Sequence, residues 1–157
     1  MNTTFAHTLR RAIAVAALAP VLALANMGSN SDENANNPDF AEAKSAIEAK
    51  NWKAAEVAMR RALEKNPNNA DAHNWLGFSL RKQERFDEAF ASYDQALKLN
   101  PDHRSALEYL GEAYLQTKQP AKAEEQLAKL VRLCTPIPCE EQKELARAIA
   151  AYKKANK

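Results

Sequence analysis

The chain has 157 residues, of which 46% are hydrophobic and 27% are charged, and its formal net charge at pH 7 is +2. Arg10 and Arg11 account for this excess, because the first 25 residues contain no acid and the rest of the chain is neutral. A neutral chain without a clustered basic patch lacks the electrostatic footprint of a nucleic-acid-binding protein or of a polybasic membrane anchor. Its length is sufficient for one domain with a continuous core.

Residues 1–25 have the pattern of a cleavable signal peptide. Arg10 and Arg11 precede an uncharged run from Ala12 to Ala25, and Ala23-Leu24-Ala25 is a small-x-small cleavage pattern. A membrane-spanning helix needs about 20 apolar residues, and this run is shorter. The pattern therefore favours export and cleavage over a retained anchor, and predicts no stable membrane anchor after cleavage.

Residues 26–37 form a predicted linker. This segment is rich in asparagine, serine and acid and has no apolar periodicity. Such a composition cannot bury enough apolar surface to fold, so the sequence predicts a disordered segment before the folded domain, which spans residues 38–157.

A period of 34 residues dominates the domain. Small residues and prolines recur at this spacing: Ala55, Ala89 and Ala123; Gly77 and Gly111; Ala62 and Ala96; Pro67 and Pro101. A repeat of this length is typical of stacked helix-turn-helix units. It predicts three repeats, over about residues 36–69, 70–103 and 104–137.

Each unit carries two amphipathic stripes of helical period separated by a short polar turn. Gly77 and Gly111 lie in the middle of the first helix of their units. Glycine there costs roughly 1 kcal/mol relative to alanine, which indicates a close contact between helices. We expect Ala89 and Ala123 to be the small residues that face them.

Residues 139–155 are predicted to form a last amphipathic helix that caps the array. Leu145, Ala148, Ile149 and Tyr152 share one stripe, and acidic residues begin the helix while lysines end it, which suits the helix dipole. The expected fold is all-α, with seven helices in three repeats and a cap.

Cys134 and Cys139 are the only cysteines, and they lie between the last repeat and the cap. A structural disulfide is the default in an exported protein, and it would hold the cap helix in place. A redox pair and a metal site remain as alternatives. The spacing of four residues without a strand pattern disfavours a thioredoxin-like centre, and nearby ligands to complete a zinc site are missing.

The sequence contains no phosphate-binding glycine loop, nucleophile elbow or paired-histidine metal motif, so we predict neither an enzyme nor a cofactor. His73 is expected to be a packed core histidine rather than a general base. His103 is expected to be an exposed turn residue.

The stretch from Ala72 to Pro101 resembles a tetratricopeptide repeat. The signature positions are occupied by Leu76, Gly77, Ala89, Tyr93, Ala96 and Pro101. The first and third repeats match less completely, as is expected of terminal units in a capped array. The resemblance implies an α-solenoid, and with the signal peptide it suggests a bacterial periplasmic protein.

In the family that this chain resembles, the first helices line a concave groove that holds a peptide or a partner's helix. The resemblance places ten residues at groove positions: Phe40, Lys44, Ile47, Asn74, Phe78, Arg81, Lys82, Glu108, Glu112 and Gln116. Phe78 would anchor a partner side chain while Arg81 and Lys82 pair with its carboxylates. The alternative interpretation is that Phe40 and Phe78 only fill the seam between adjacent first helices.

Glu108 and Glu112 occupy positions where family members that clamp an acidic chaperone tail would have positive charge. The sequence therefore predicts an interaction or scaffold module that binds a protein or peptide other than such a tail. The second hypothesis is an accessory factor in envelope assembly that uses Cys134 and Cys139 for redox or metal chemistry.

Overall fold

The computed structural model describes residues 34–156. The predicted signal peptide and residues 26–33 of the predicted linker lie outside this range and stay predictions. The described range contains seven complete helices and no strand. They are α1 (Pro38–Glu48), α2 (Trp52–Lys65), α3 (Ala70–Lys82), α4 (Phe86–Leu99), α5 (Arg104–Gln116), α6 (Pro120–Leu133) and α7 (Glu140–Ala155). No helix between residues 34 and 156 combines the length and the apolar character that a bilayer crossing requires.

The helices pair into three antiparallel hairpins that follow the 34-residue period. Asparagine side chains cap several N-termini: Asn51 accepts from the Ala54 amide at 3.1 Å, and Asn69 accepts from the Ala72 amide at 3.0 Å. Each hairpin turn contains one residue with left-handed backbone geometry, with φ of 56° at Lys50, 60° at Glu84 and 60° at Lys118. The turn geometry therefore repeats with the sequence, although none of the three residues is glycine.

Gly77 provides the closest approach between α3 and α4. A Cβ atom there would lie 2.8 Å from Cδ1 and Cε1 of Tyr93, whose side chain is fully buried. The nearest atoms to this glycine belong to the ring of Tyr93, whereas the sequence analysis expects Ala89 to face it. The absence of a side chain at Gly77 makes room for that large ring.

Gly111 is covered by the cap helix. A Cβ atom at Gly111 would lie 2.6 Å from both methyl groups of Leu145 in α7, which are therefore nearer to this glycine than the expected Ala123. Leu127 occupies the place of Tyr93 in the third repeat, and it is a shorter side chain. Leu145 itself lies 34 residues after Gly111, so α7 continues the series of first helices.

The cap helix is joined to the third repeat by a disulfide. Cys134 ends α6 and Cys139 precedes α7, and their Cα atoms are 5.4 Å apart. Leu145 and Ile149 pack into the core, with Ala148 and Tyr152 partly buried beside them. These four side chains are the stripe that the sequence predicts.

The first repeat has a buried ion pair between its two helices. Asp39 is 4% exposed and accepts from Nε of Arg61 at 3.1 Å and from Nζ of Lys65 at 2.6 Å. The hydrogen bond from Lys65 and then that from Arg61 outweigh burial and lower the pKa of Asp39. The aspartate therefore stays ionised and ties α1 to α2.

The end of the predicted linker contacts the folded domain. Asn34 donates to Asp71 at 2.6 Å and accepts from Asn69 at 2.7 Å, and Asn37 caps α1. These contacts place residues 34–37 with the domain, although the sequence assigns them to the linker. Their cause is the polar surface at the start of α3, which offers partners to the asparagine side chains.

The two histidines of the repeats differ from expectation. The side chain of His103 is only 10% exposed, with its Nε2 3.0 Å from Oδ1 of Asp71 and its Nδ1 accepting from the Ala106 amide. His103 is therefore a helix cap and not an exposed turn residue. His73 is half-buried and donates from Nε2 to the carbonyl of Pro67 at 2.9 Å, so it is not a core residue.

Candidate functional site

The first helices of the three repeats line a groove. Its cavity volume is about 410 Å³, and side chains of α1, α3 and α5 surround it: Lys44, Ile47, Glu48, Trp75, Phe78 and Tyr109. Three of the predicted groove residues, Lys44, Ile47 and Phe78, are brought together here. The groove is open and mostly apolar, with charged side chains only on α1.

Phe78 lies at the centre of an aromatic cluster. Its ring centroid is 5.0 Å from that of Tyr109 and 5.9 Å from that of Trp52. Nζ of Lys82 lies 5.3 Å from the centroid of the Phe78 ring, a distance that permits a cation–π interaction. Phe78 is half-buried, so part of it is available to a ligand while its neighbours hold it in place.

Trp75 and Tyr109 also line the groove, although the sequence analysis assigns neither residue to it. The 34-residue period contains the signal that identifies them, because residue 109 lies one period after residue 75. Positions that carry large aromatics in consecutive first helices fall on the same surface of the array. Trp52, at the start of α2, is the second aromatic, with Tyr109, whose ring contacts Phe78.

Arg81 is not available to a partner, contrary to the sequence prediction. Its side chain is 2% exposed, and its Nη1 lies 2.7 Å from Oε2 of Glu112. Its guanidinium also lies 5.4 Å from the Phe78 ring centroid and 5.7 Å from that of Tyr109. Arg81 and Glu112 therefore form a structural pair that joins α3 to α5 beneath the groove.

Phe40 and Asn74 are likewise buried, at 5% and 2% exposure. Phe40 packs against Trp75 with a centroid distance of 5.4 Å, which is the seam-filling position of the alternative interpretation. The Oδ1 atom of Asn74 is buried and has no hydrogen-bond partner among the described residues. Neither side chain forms part of the exposed groove surface.

A second pocket of about 420 Å³ lies at the C-terminal ends of α3 and α5. It is lined by Arg81, Lys82, Glu84, Phe86 and Gln116, so two of the predicted exposed residues, Lys82 and Gln116, meet here. Burial, followed by the charge of Arg81, lowers the pKa of Lys82. Lys82 lines this pocket and borders the groove, because its amine lies over the ring of Phe78.

Glu108 carries the most perturbed carboxylate near the groove. Burial and the nearby charges of Glu112, Glu141 and Glu144 raise its pKa from 4.5 to about 7, against the smaller opposing effect of Arg81. Glu108 has no ion-pair partner among residues 34–156. This end of the first-helix surface is therefore negatively charged above neutral pH.

We expect Glu108→Gln to flatten the pH dependence of stability. A carboxyl whose pKa is higher in the folded state favours folding below pH 4.5, and this contribution disappears as the pH rises through about 7. The variant should therefore gain stability relative to the wild type between pH 5 and pH 8. Urea unfolding of both proteins at the two pH values measures the difference.

Glu64→Gln is the matched control for this prediction, since Glu64 is an exposed carboxylate on α2. The control should follow the pH dependence of the wild type. A Glu108→Gln variant whose unfolding free energy changes with pH as the wild type does would contradict the assignment of a perturbed carboxyl to Glu108.

Among the described residues, the site contains neither a metal-ligand cluster nor a cysteine. Between residues 34 and 156 no three histidine, cysteine, aspartate or glutamate side chains come together as a metal site requires. Neither pocket contains a cysteine.

Comparison with known proteins identifies the repeat. The profile of the family described as Tetratricopeptide repeat matches residues 40–94 and 78–136, which together cover more than half of the chain. The chain belongs to the tetratricopeptide repeat family. This membership and the seven helices confirm the predicted helical solenoid.

Two curated proteins are similar to this tetratricopeptide repeat chain. One is a type IV pilus assembly protein, PilF of Pseudomonas aeruginosa, which is 36% identical over 83 residues, covering 52% of this chain and 33% of that protein. The other is tetratricopeptide repeat protein 37 of Xenopus laevis, which is 37% identical over 70 residues, covering 41% of this chain and 4% of that protein. The chain thus spans a third or less of either relative.

Solved structures share the tetratricopeptide fold at low sequence identity. The TPR2B domain of yeast Sti1, in complex with pHsp70, has a TM-score of 0.69 at 19% identity and covers 75% of this chain and 95% of that one. The type III secretion chaperone SycD of Yersinia enterocolitica, in complex with a peptide of the translocator YopD, has a TM-score of 0.67 at 16% identity and covers 84% and 99%. At these identities the likeness is one of fold.

Proposed function

We propose that this tetratricopeptide repeat protein is a non-enzymatic interaction module that binds a peptide segment of a partner protein in the groove lined by α1, α3 and α5. The observation that carries the proposal is the half-buried Phe78, which Trp52 and Tyr109 hold in an open apolar groove. A rigid, partly exposed aromatic in a pocket is the usual anchor of a protein interface.

The solved structures of similar fold support a peptide ligand. The TPR2B domain of Sti1 is in complex with pHsp70, and SycD is in complex with a peptide of YopD. The similarity to a type IV pilus assembly protein supports a role in the assembly of a larger structure, but only a third of that relative is matched.

The cysteine pair has a structural role in this proposal. Cys134 is 7% exposed. Its disulfide with Cys139, five residues later, connects the end of α6 to the start of α7. Redox or metal chemistry in envelope assembly remains the second hypothesis from the sequence. It needs accessible sulfur atoms, and the burial of Cys134 disfavours it.

We place the protein in a bacterial periplasm and expect the mature chain to begin at Asn26. The basis is the run from Ala12 to Ala25 and its Ala23-Leu24-Ala25 cleavage pattern. Mass analysis of the N-terminus of protein purified from the exporting cell tests this. Full-length protein that begins at Met1 in the membrane fraction would show that the segment is retained.

Phe78→Ala should weaken partner binding by about 2 kcal/mol or more, which corresponds to roughly a 30-fold increase in Kd. The reason is that truncation removes the central ring of the groove and its contacts with Trp52 and Tyr109. The partner is first recovered by pull-down from an envelope extract with the wild-type protein. Isothermal titration of that partner with both proteins then gives the two affinities.

Val57→Ala is the matched control, because it also truncates an apolar side chain, and Val57 is 43% exposed on α2, away from the groove. Both variants should retain the helical circular dichroism of the wild type. Binding that survives Phe78→Ala but fails with Val57→Ala would place the interface on the second helices and overturn the proposal.

A further inference from the structure

The first-helix surface carries cations at one side of its aromatic centre. Lys44 of α1 lines the groove, and Nζ of Lys82 lies over the rings of Phe78 and Trp52 at 5.3 and 5.9 Å. Neither amine has a carboxylate within ion-pair distance among the described residues. Lys50 adds a further positive charge close to Lys82, and Glu48 is the one carboxylate of the groove lining.

Carboxylates lie at the other side of the same centre. Glu108 lies four residues before Glu112 and so shares the face of α5 on which Glu112 meets Arg81, and the charges of Glu112, Glu141 and Glu144 act on it. Glu112 is neutralised by Arg81 at 2.7 Å, and Glu144 is paired with Arg147 at 2.5 Å. Arg104 approaches Glu141 only to 3.9 Å. Among the described residues, Glu108, Lys44 and Lys82 thus have no ion-pair partner of their own, although the amine of Lys82 lies over two rings.

Along the array, the cations lie on α1 and α3, whereas Glu108 lies on α5, where Glu141 and Glu144 of α7 act on it. Glu112 is close to both groups, and Arg81 neutralises it.

The apolar centre lies between Lys44 of α1 and the acidic end of the array. Ile47, Trp75, Phe78 and Tyr109 form its walls. A ligand that fills this centre must extend toward both charged sides, and a flank of like charge on either side would be repelled. The surface therefore disfavours ligands that are uniformly acidic or uniformly basic.

We infer that the partner segment has an apolar side chain at its centre, carboxylates on the flank that lies over Lys44 and Lys82, and cations on the flank that lies over Glu108. This inference rests on the proposed function, because it names the chemistry of the ligand for that same groove. The apolar residue provides contact with Phe78, and the segregated charges fix how the segment lies across α1, α3 and α5.

Three synthetic peptides with a fluorescein label test this inference. All three contain Leu-Phe at the centre. The first peptide has Asp-Asp on one flank and Lys-Lys on the other. The Asp-Asp peptide and the Lys-Lys peptide each keep only the one charged flank, and their other flank is uncharged. Fluorescence anisotropy at low salt and pH 8, where Glu108 is ionised, measures their affinities for the wild type and for Lys82→Gln, Glu108→Gln and Phe78→Ala.

We expect the peptide with both charged flanks to bind most tightly. Lys82→Gln should lower the affinity for the Asp-Asp peptide about threefold and leave the affinity for the Lys-Lys peptide unchanged. Glu108→Gln should have the opposite effect on the two peptides. Both changes are small because an exposed ion pair contributes well under a tenfold change in affinity. Added salt should remove both differences. Phe78→Ala should weaken all three peptides.

Two distinct failures are recognisable. If Phe78→Ala weakens all three peptides while each charge variant affects the Asp-Asp and Lys-Lys peptides equally, the charge order is wrong and the groove assignment stands. If none of the peptides binds the wild type below about 1 mM, or if Phe78→Ala binds all three as well as the wild type, the proposed groove fails together with the inference.

Discussion

Arg81→Glu should destabilise the protein by about 3 to 5 kcal/mol. The variant places a carboxylate at a site where the side chain is 2% exposed, and removes the partner that lies 2.7 Å from Glu112. Two carboxylates would then share one poorly hydrated region, with Glu108 nearby. Urea unfolding followed by circular dichroism at pH 7.5 measures the loss.

Lys82→Glu is the matched control, because it makes the same change of charge one residue later at an exposed position. Its loss should be only about 1 kcal/mol, because it removes the cation–π contacts of Lys82 with Phe78 and Trp52 but leaves the pair between Arg81 and Glu112 intact. The loss caused by Arg81→Glu should also shrink at low pH, where the introduced carboxyl is protonated. Equal losses for the two variants would show that the Arg81 pair has no structural role.

Gly77→Leu should destabilise the protein by about 3 kcal/mol, at the upper end of what overpacking of a core costs. The first new carbon would meet the Tyr93 ring at 2.8 Å, and that ring is fully buried and cannot rotate away. The gain in helix propensity on replacing glycine is only about 1 kcal/mol and does not compensate. The midpoint of thermal unfolding should fall accordingly.

Gly111→Leu provides the informative comparison. The atoms above Gly111 are the terminal methyl groups of Leu145, which can adopt another rotamer more easily than an aromatic ring can move. We therefore expect a smaller loss at Gly111 than at Gly77. If Gly77→Leu unfolds at the same midpoint temperature as the wild type, α3 and α4 do not contact each other at this residue.

The 34-residue period is sufficient to predict the helical repeats and much of the groove. Lys44 and Phe78 are one period apart, and both line the groove, because equivalent positions of successive first helices lie on the same surface. The same period relates Trp75 to Tyr109. The predictable part of the site is thus the part that repeats.

Whether an individual side chain is buried or exposed depends on contacts between repeats, which the period alone does not specify. Arg81 shares one helix face with Phe78, and it is buried only because Glu112 of the next first helix supplies a counter-charge. Gly77 is a correctly predicted site of close approach, but the length of Tyr93 decides which residue covers it. Sequence periodicity gives positions, whereas burial follows from the shapes and charges of neighbours one repeat away.

The position of Leu145 over Gly111 has a consequence for how the protein unfolds. Repeats in an array usually open one after another from the ends, because each unit contacts only its neighbours. Here Leu145 and Ile149 of α7 belong to the core of the third repeat, and the bridge between Cys134 and Cys139 joins the same two parts. The third repeat and α7 therefore form a single cooperative unit, and fraying at the C-terminal side must open 50 or so residues together rather than one helix.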